Sequence, residues 1–349
     1  WCKRVFSGVY GNEDWLFARN TGKDVAVDDN KGEIFLFHGV PWKFYIQALS
    51  ATDRTVTLRD DGRIDGDANH LVDGNPPARS LRDLRNPWNR DQIDDPDGSM
   101  FAVVVHGTGL GQRRRIVAHT DQTLTVAEPW RVAPAADSVL TVLPINQHVV
   151  VYHNRIEGFP PGYNLEWPSA SSGVQFDGNC FESVAEGNTF LRTCNAGIVG
   201  GSSTSPSYWN EFRDQKAEGL YYRGYAAIGW TWSDVDRDVV GALLLGNAVR
   251  GGSLVTDTPR QKQWAGDLKM DRANEPADLR GRLTHRGQIF EGVSAQGSQV
   301  GLTASRATHG LFRKNTIRLA DGPQGGGTAA TRFSDGARVF TSENSILKP

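Results

Sequence analysis

Two strand-like phrases, GVQFDG and GLYYRG, alternate apolar residues with residues that could do chemistry. Successive side chains of a strand point to opposite faces, so the alternation predicts that Gln175, Asp177, Tyr221 and Arg223 point away from the core. Asp177, Gly200 and Arg223 follow one another at steps of 23 residues. A repeat of that length predicts that Asp177 and Arg223 lie on one line along a stack of strands.

A second group of candidates lies in the segment that follows GLYYRG. The sequence YAAIGWTWSDVDRD reads as a long turn, and the lengthened turns of a repeat protein are free to carry function. Asp257 closes the next strand-like phrase, GSLVTD, on the same side. The resulting predicted groove has Asp177, Arg223, Tyr221, Asp257, Asp234 and Asp236 as catalytic candidates and Trp230, Trp232, Gln175 and Asp238 as substrate-binding candidates.

These residue types fit two reactions on a sugar and one role without chemistry. A glycoside hydrolase needs two carboxylates, which Asp177 or Asp257 could supply together with an aspartate of the long turn. A polysaccharide lyase needs a base and a positive group that neutralises the uronate carboxylate, which Tyr221 and Arg223 could supply. Alternatively, Arg223 forms a surface ion pair with one of these aspartates, and the remaining aspartates cap a turn.

One short phrase recurs through the C-terminal part of the chain: a few apolar residues, an Asn, and a few residues more. The copies are VVVYHNRIEG, AEGNTFLR, YWNEFRD, LLLGNAVRGG, LFRKNTIRL and a weaker VFTSENSIL, and RGQIFEGVSA has Gly292 in place of the Asn. A period in the low twenties without helical periodicity predicts a β-solenoid, whose stacked coils share a core that one coil cannot bury. An Asn at each bend can satisfy turn backbone groups and bond to its equivalent in the next coil.

This pattern resembles the right-handed parallel β-helix of the pectate-lyase-like superfamily, including its asparagine ladder. The resemblance covers roughly the C-terminal 200 residues. It implies the fold and not one chemistry, since that fold hosts lyases, hydrolases, epimerases, transferases and phage tailspikes. The paired-aspartate strand motifs of polygalacturonases are absent, and Tyr152 stands where the similar phrase of pectate lyases has an acid. The resemblance therefore does not indicate pectin as the substrate.

The N-terminal part of the chain reads differently. KFYIQALSATDRTVTLRDD and RRRIVAHTDQTLTVAEPW match at an offset of 68 residues, and each reads as a hairpin with a Thr-Asp turn. Between them lies an irregular insertion, residues 66–99, rich in Asp, Asn, Arg and Pro. We therefore predict an all-β protein: an N-terminal β-rich module of hairpins and long loops over residues 1–146, and a right-handed parallel β-helix over residues 147–349.

Composition excludes several classes of function. The net charge of -2 and the lack of a basic stripe argue against a nucleic-acid binder, and no apolar run is long enough to span a membrane. The eight His are scattered, which argues against zinc. Two acidic runs, residues 60–67 and 94–98, have the composition of a Ca²⁺ loop without its ligand spacing. We therefore expect no cofactor, and Ca²⁺ bound at one of these runs is the alternative.

The ten Trp, several of them beside Gly, Pro or polar residues, favour a protein that stacks aromatic rings on sugar faces. We expect a secreted or cell-surface carbohydrate-active enzyme that cleaves a polysaccharide or oligosaccharide in the predicted groove. Since the chain begins at Trp1, we expect that a leader or an upstream domain was removed. The alternative is a non-catalytic glycan-binding or structural β-helix, such as a phage tailspike or surface adhesin segment. That alternative predicts a trimer contact of outward apolar residues and no concentrated ionisable site.

Overall fold

The computed structural model describes most of the chain as β-strands joined by short bends. The described residues are 6–9, 11–25, 34–38, 46–59, 100–158, 172–177, 179–193, 195–199, 207–218, 223–228, 239–250, 254–257, 285–286, 289–298, 302–305, 307–319, 331–334 and 338–347. Their regular elements are all strands, which confirms the all-β prediction. The predicted insertion at residues 66–99 lies outside the described residues.

Three parallel sheets form the body of the molecule. Sheet I contains β1 (Phe6–Val9), β4 (Phe35–His38), β14 (Ser172–Asp177), β18 (Asn195–Val199), β22 (Arg223–Ile228), β26 (Leu254–Asp257), β30 (Leu302–Ser305) and β33 (Thr331–Ser334). Sheet II contains β2 (Leu16–Ala18), β11 (Asn146–Gln147), β12 (Val150–Tyr152), β15 (Cys180–Phe181), β16 (Val184–Glu186), β19 (Ser207–Tyr208), β20 (Glu211–Arg213), β23 (Val239–Val240), β24 (Leu243–Leu245), β27 (His285–Arg286), β28 (Ile289–Glu291), β31 (Ala307–Arg313) and β34 (Arg338–Ser342). Sheet III contains β3 (Thr21–Gly22), β13 (Arg155–Glu157), β17 (Thr189–Leu191), β21 (Lys216–Glu218), β25 (Ala248–Arg250), β29 (Ser294–Ser298), β32 (Thr316–Leu319) and β35 (Ser345–Leu347).

The chain visits the three sheets in a fixed order, I, II and III, and each visit pairs in parallel with the one before. This is a β-solenoid of stacked coils, as the recurring phrase predicts. The coil length varies more than the predicted period. Ile289 pairs with Leu311, 22 residues on, whereas Leu254 pairs with Leu302, 48 residues on. Extra residues are inserted between strands, so the strand pairing itself is kept.

The solenoid core consists of the inward side chains of each coil. In sheet II the middle residue of β12, β16, β20, β24 and β28 is buried between two half-buried neighbours. The buried rings stack along the axis, with centroids 5.4 Å apart for Phe176 and Phe212 and 4.7 Å apart for Phe290 and Phe312. Burying such a ring contributes about 1.5–3 kcal/mol. The apolar positions of the recurring phrase are therefore the core positions.

A ladder of buried amides runs along the bend between sheets II and III. The backbone N–H and the side-chain amide of Asn154 both donate to Asn188 Oδ1, at 2.9 and 2.8 Å. Asn188 Nδ2 in turn donates to the carbonyl oxygen of Val151, at 2.8 Å. Equivalent positions in other coils are Asn20, Gln215, Asn247, Asn315 and Asn344. The asparagine ladder predicted from the sequence is thus confirmed.

Each ladder residue follows a residue whose φ lies in the left-handed region. These preceding residues have φ between 47° and 64° and are Arg19, His153, Gly187, Asp214, Gly246, Gly292, Lys314 and Glu343. A left-handed residue turns the chain sharply enough to pass from one sheet to the next within two residues. The conformation costs a non-glycine residue roughly 1–2 kcal/mol, and the two or three hydrogen bonds of the ladder residue offset that cost.

Two copies of the phrase occupy the ladder differently from the prediction. In the coil that contains YWNEFRD the ladder residue is Gln215, directly after that phrase, because the next residue, Lys216, pairs with Ala248. Asn210 lies one bend earlier, inside sheet II, where it accepts a hydrogen bond from the Ser183 N–H at 3.1 Å. In RGQIFEGVSA the ladder position falls on Val293, whose neighbour Ser294 pairs with Ala248. Gly292 takes the left-handed position instead of the Asn position.

A closed antiparallel barrel is inserted into the second coil. Its strands are β5 (Ile46–Ala51), β6 (Thr55–Leu58), β7 (Met100–His106), β8 (Arg113–His119), β9 (Thr123–Val126) and β10 (Val139–Pro144), in the order β10-β5-β6-β9-β8-β7. Both predicted hairpins are confirmed, and their turns contain the same hydrogen bond from a backbone N–H to a Thr hydroxyl. The Thr55 N–H donates to Thr52 Oγ1 at 3.0 Å, and the Thr123 N–H donates to Thr120 Oγ1 at 3.0 Å.

The solenoid begins before the barrel, so the predicted boundary at residue 146 does not separate two consecutive domains. β4 precedes the barrel and pairs with β14, and β2 pairs with β12. The chain therefore completes its first coil, forms the barrel, and returns to the stack at Asn146. Among the described residues, no helix is long and apolar enough to cross a membrane.

The ladder yields a direct stability prediction. Replacing Asn188 by Ala leaves the Asn154 N–H and the Val151 carbonyl without their ladder partner in a buried bend, so we expect a loss of about 2–4 kcal/mol in the free energy of unfolding. Thr189→Ala, at the adjacent half-buried position, is the matched control and should cost less than about 1 kcal/mol. Guanidinium unfolding followed by circular dichroism measures both. Equal losses for the two variants would contradict the ladder's role.

Candidate functional site

The structure places the predicted catalytic residues of sheet I on two different rows. One row of paired residues crosses β14, β18, β22 and β26 and consists of Phe176, Val199, Ala227 and Thr256. Asp177 directly follows Phe176 in the chain, and Asp257 directly follows Thr256. Arg223 instead pairs with Asn195, whose other partner is Ser172, at the opposite end of these strands. The predicted alignment of Asp177 with Arg223 is therefore wrong, because β22 begins four residues later than GLYYRG.

Distances along the stack limit what these residues can do together. Asp177 and Asp257 are three coils apart, or about 14 Å at ~4.8 Å per coil. The two carboxyl groups of a glycoside hydrolase lie about 5–9.5 Å apart, which is less than the spacing of these two backbone positions. Arg223 lies two coils and five residues from Asp177, about 19 Å at these spacings, which excludes their ion pair.

The structure describes the other members of the predicted groove only in part. The strand alternation predicts that the side chain of Gln175 is open to solvent. In the structure Gln175 is only 8% exposed, so this prediction is wrong. Asp177 pairs across the sheet with His38 on its other side. The remaining candidates, Tyr221, Trp230, Trp232, Asp234, Asp236 and Asp238, lie outside the described residues.

A different row of side chains lies where the barrel meets the solenoid. It occupies the bend inside sheet II and consists of one left-handed residue per coil, with φ between 47° and 64°: Asp14, His148, Glu182, Trp209 and Gly241. The residues directly before them form one pairing row: Glu13, Gln147, Phe181, Tyr208 and Val240. We call the group formed by Asp14, His148, Glu182 and Trp209 with Arg113 of the barrel the seam.

The charged members of the seam are linked to one another. His148 Nδ1 lies 3.1 Å from Asp14 Oδ1 and His148 Nε2 lies 3.4 Å from Glu182 Oε2. Arg113 Nη2 donates to Glu182 Oε2 at 2.8 Å. That hydrogen bond lowers the pKa of Glu182 against the opposing effect of burial, and the charge of Arg113 and the hydrogen bond from His148 lower it further. Glu182 is therefore held as a carboxylate that can accept hydrogen bonds.

Trp209 forms the aromatic end of the seam and is held by two glycines. It is 43% exposed, although the preceding Tyr208 is fully buried. A Cβ on Gly241 would lie 2.0 Å from the indole, and a Cβ on Gly111 would lie 3.3 Å from it. The indole therefore packs on the bare backbone of the next coil and beside the barrel loop that ends at Gly111. Its orientation is fixed while much of one face stays open.

The barrel residues beside the seam are held against the solenoid by several contacts. The Arg113 guanidinium lies 5.1 Å from the ring centroid of Phe181, and its Nε donates to Gln147 at 3.1 Å. Arg115 Nη2 lies 2.8 Å from both carboxylate oxygens of Glu13. A shared apolar cluster includes the barrel residue Phe101 together with Phe181 and Tyr208 of the solenoid. These contacts fix the position of Arg113 relative to Glu182.

The seam has the chemistry of a sugar-binding surface. An exposed ring can stack on the apolar face of a pyranose, and ionised carboxylates accept strong hydrogen bonds from hydroxyl groups. The four solenoid residues span about 14 Å along the axis at ~4.8 Å per coil. No three His, Cys, Asp or Glu side chains of the described residues are grouped closely enough to hold a metal ion.

Sequence reasoning missed the seam because its members share no residue type. Aspartate, histidine, glutamate, tryptophan and glycine occupy equivalent positions, so no repeat of letters reveals the row. The signal that could have found it is positional: each stands between the two short strands that the chain contributes to sheet II in one coil. Arg113 comes from the barrel, and only the insertion of the barrel at β4 brings it there.

Fold and seam together define an all-β solenoid with an inserted barrel and a surface site of aromatic and ionised side chains. No known protein-family model matches the chain, and no curated protein matches it. The solved structures that are similar to it include two phage tailspikes. The tailspike protein gp49 of Pseudomonas phage LKA1 matches over 96% of this chain and 53% of its own length, with 10% identity and a TM-score of 0.27. The tailspike gp61 of Pseudomonas phage phi297 matches over 99% and 63%, with 12% identity and a TM-score of 0.23.

The chain thus spans between half and two-thirds of the length of these two tailspikes. The strand pairing within the chain itself shows the solenoid fold.

The seam predicts a pH-dependent stability. Because the folded-state pKa of Glu182 lies below its ordinary value, its carboxylate stabilises the fold above about pH 4.3, and this contribution is lost as the pH falls through the lowered value. Glu182→Gln should therefore be less stable than the unmodified protein at pH 7, by no more than ~1 kcal/mol because the side chain is half-exposed. Unfolding curves between pH 7 and pH 3 should converge at the acid end. A difference that does not change with pH would contradict this assignment.

Proposed function

We propose that the protein is a glycan-binding right-handed parallel β-helix that holds a polysaccharide or oligosaccharide along the seam without cleaving it. The observation that carries the proposal is the half-exposed Trp209, which packs on Gly241 in line with His148 and with the carboxylate of Glu182. A fixed aromatic ring loses little conformational entropy on binding, so its stacking energy is retained in the affinity. The asparagine ladder and the three-sheet coil support the β-helix assignment.

Glu182 is the acid of the seam whose ionisation is fixed by its contacts, because the hydrogen bond from Arg113 lowers its pKa. A side chain held as a carboxylate suits the acceptance of hydrogen bonds from sugar hydroxyls. The other described acids with a lowered pKa are Asp137, Glu157 and Glu291, and they lie outside the seam.

The partner and the location belong to the same proposal. Hydroxyl-rich chains fit an acceptor-rich row with an aromatic end, so the partner class is a polysaccharide or its oligosaccharide fragments. We propose that the protein acts in the extracellular space or at a cell surface, where such polymers are found. Neither a cofactor nor a metal ion is needed for this role.

The proposal is tested first by binding and by product analysis on one panel. Purified protein is incubated with neutral and acidic polysaccharides, and retention on each immobilised polymer is measured. New reducing ends and near-UV absorbance from unsaturated uronates are followed in the same samples. We expect retention by at least one polymer with neither product signal. Products that form at a rate proportional to protein concentration would replace the proposal with a hydrolase or a lyase.

Two glycine variants test whether the Trp209 face is the binding surface. Gly241 and Gly246 both have left-handed φ, and a Cβ at Gly241 meets the indole whereas one at Gly246 meets the flexible Asp214 carboxylate. Both alanine variants therefore suffer similar backbone strain, but only Gly241→Ala displaces Trp209. We expect Gly241→Ala and Trp209→Ala to weaken binding by about tenfold, equivalent to ~1.4 kcal/mol.

Gly246→Ala is the matched control and should bind the selected oligosaccharide within about twofold of the unmodified protein. Affinities are measured by titration calorimetry with proteins whose circular dichroism spectra match. Equal affinities for Gly241→Ala, Gly246→Ala and the unmodified protein would remove Trp209 from the binding surface.

A further inference from the structure

His148 lies in the seam with an acidic side chain on either side of its ring. Asp14 occupies the same left-handed position one coil before it, and Glu182 occupies that position one coil after it. Nδ1 of the ring lies 3.1 Å from Asp14 Oδ1, and Nε2 lies 3.4 Å from Glu182 Oε2. Both ring nitrogens of His148 therefore face a carboxylate oxygen.

The ring can donate to both acids in only one of its protonation states. A neutral imidazole carries one N–H donor and one acceptor lone pair, whereas the imidazolium carries two donors. In the neutral ring, the lone pair of one nitrogen points at a negatively charged oxygen, and the two repel each other. The imidazolium donates to Asp14 and to Glu182 at the same time. The contacts on the two sides of His148 therefore fit the protonated ring.

Either neutral form of the ring breaks the line of three side chains. With the proton on Nδ1, His148 keeps its contact with Asp14 and turns a lone pair towards Glu182. With the proton on Nε2, it keeps Glu182 and loses Asp14. Glu182 also accepts a hydrogen bond from Arg113 Nη2 at 2.8 Å. Among the described residues, His148 is the one side chain that contacts the Asp14 carboxylate, and the Asp14 side chain is 79% exposed.

The remaining charged groups around the ring are paired with each other. Arg115 of the barrel lies 2.8 Å from both carboxylate oxygens of Glu13, the residue before Asp14. These two charges offset each other, as Arg113 offsets the charge of Glu182. The carboxylate of Asp14 is left without an arginine partner among the described residues, and a protonated ring beside it supplies the balancing charge.

We infer that His148 is a positioning residue of the seam, whose protonated ring fixes Asp14 and Glu182 in line for the glycan. The inference rests on the proposed function, because it concerns the same binding surface. The ring contacts one oxygen of each carboxylate, so the second oxygen of each can accept a hydrogen bond from a sugar hydroxyl. Of the residue types in the seam, only histidine ordinarily changes its charge between pH 5 and pH 8. Glycan binding should therefore weaken as the pH rises through this range.

The test is the pH dependence of the affinity for an oligosaccharide fragment of the polymer that the polysaccharide panel retains. Titration calorimetry is run at about pH 5.5 and about pH 8, at one ionic strength. The unmodified protein should bind about three- to tenfold more weakly at the higher pH, because the glycan must then order the released side chain. His148→Asn should bind weakly and equally at both pH values.

His153→Asn is the matched control. His153 lies in the same coil and is also left-handed, but it packs on Gly187 at the other bend, outside the seam. Asparagine adopts the left-handed conformation readily, so the two substitutions are matched in backbone strain. His153→Asn should keep the pH dependence of the unmodified protein.

Asp14→Asn separates positioning by the ring proton from a structural role of His148. Its amide can donate to a neutral Nδ1 while the Nε2–H of the ring donates to Glu182, so the neutral ring is satisfied on both sides. The affinity of Asp14→Asn should therefore differ by less than about twofold between the two pH values. A structural role alone would lower the affinity of His148→Asn and leave the pH dependence in place.

Each outcome decides the inference. Equal affinities of the unmodified protein at the two pH values overturn it, and so does a pH dependence that His148→Asn retains. Absence of binding by the unmodified protein at both pH values is a different result, because it overturns the proposed function and the inference with it. If His148→Asn loses its β-sheet circular dichroism signal, Asp14→Asn decides in its place by the twofold criterion.

Discussion

The structure depends on one repeated interaction, the hydrogen bonds that a buried amide makes at the bend between sheets II and III. A left-handed residue turns the chain there, and the next residue must satisfy backbone groups that the turn removes from water. Asn154 and Asn188 do this by donating to the carbonyl oxygens of Phe17 and Val151 while they bond to each other. Because every coil repeats this bend, the extra residues of a longer coil are absorbed elsewhere, and strand register survives coils of very different length.

The same constraint explains why a surface site can be built from unlike residues. The second bend, inside sheet II, has a left-handed residue in five successive coils, and the side chains at these positions point away from the core. Five residue types fill that position between Asp14 and Gly241. Their spacing is set by the stack and is therefore regular, although their chemistry is not. The barrel adds Arg113 to this regular row, and its contacts with Phe181 and Glu182 tie the two parts together.

The sequence allowed the fold to be predicted further than the site. The Asn phrases located five ladder residues correctly, because a buried amide at a bend has few substitutes. They failed at YWNEFRD, where Gln215 takes the place of Asn and Asn210 serves a different bend. The predicted register of β22 is wrong, because the strand runs over RGYAAI, whereas the prediction took the preceding phrase GLYYRG as the strand. A slip of a few residues moved Arg223 from the row of Asp177 to the opposite end of the strand.

Non-local contacts were not predictable from any single segment. The barrel hairpins were recognised from their Thr-Asp turns, but their insertion after β4 depends on pairing between β4 and β14, which are more than 130 residues apart. The seam joins residues from both sides of that insertion: Asp14 lies 134 positions before His148. A chain read in order therefore separates residues that the stack places one coil apart.

Hydrogen exchange tests most directly whether the seam binds the glycan. It is measured on the protein with and without the oligosaccharide that binds best in the polysaccharide panel. The account predicts slower exchange at saturation in peptides covering residues 107–113 and 207–214, which contain the barrel loop and Trp209. Exchange in peptides covering residues 223–228 and 254–257, on sheet I, should not change. Slower exchange on sheet I, with no change around Trp209, would contradict the account and return the binding site to the groove predicted from the sequence.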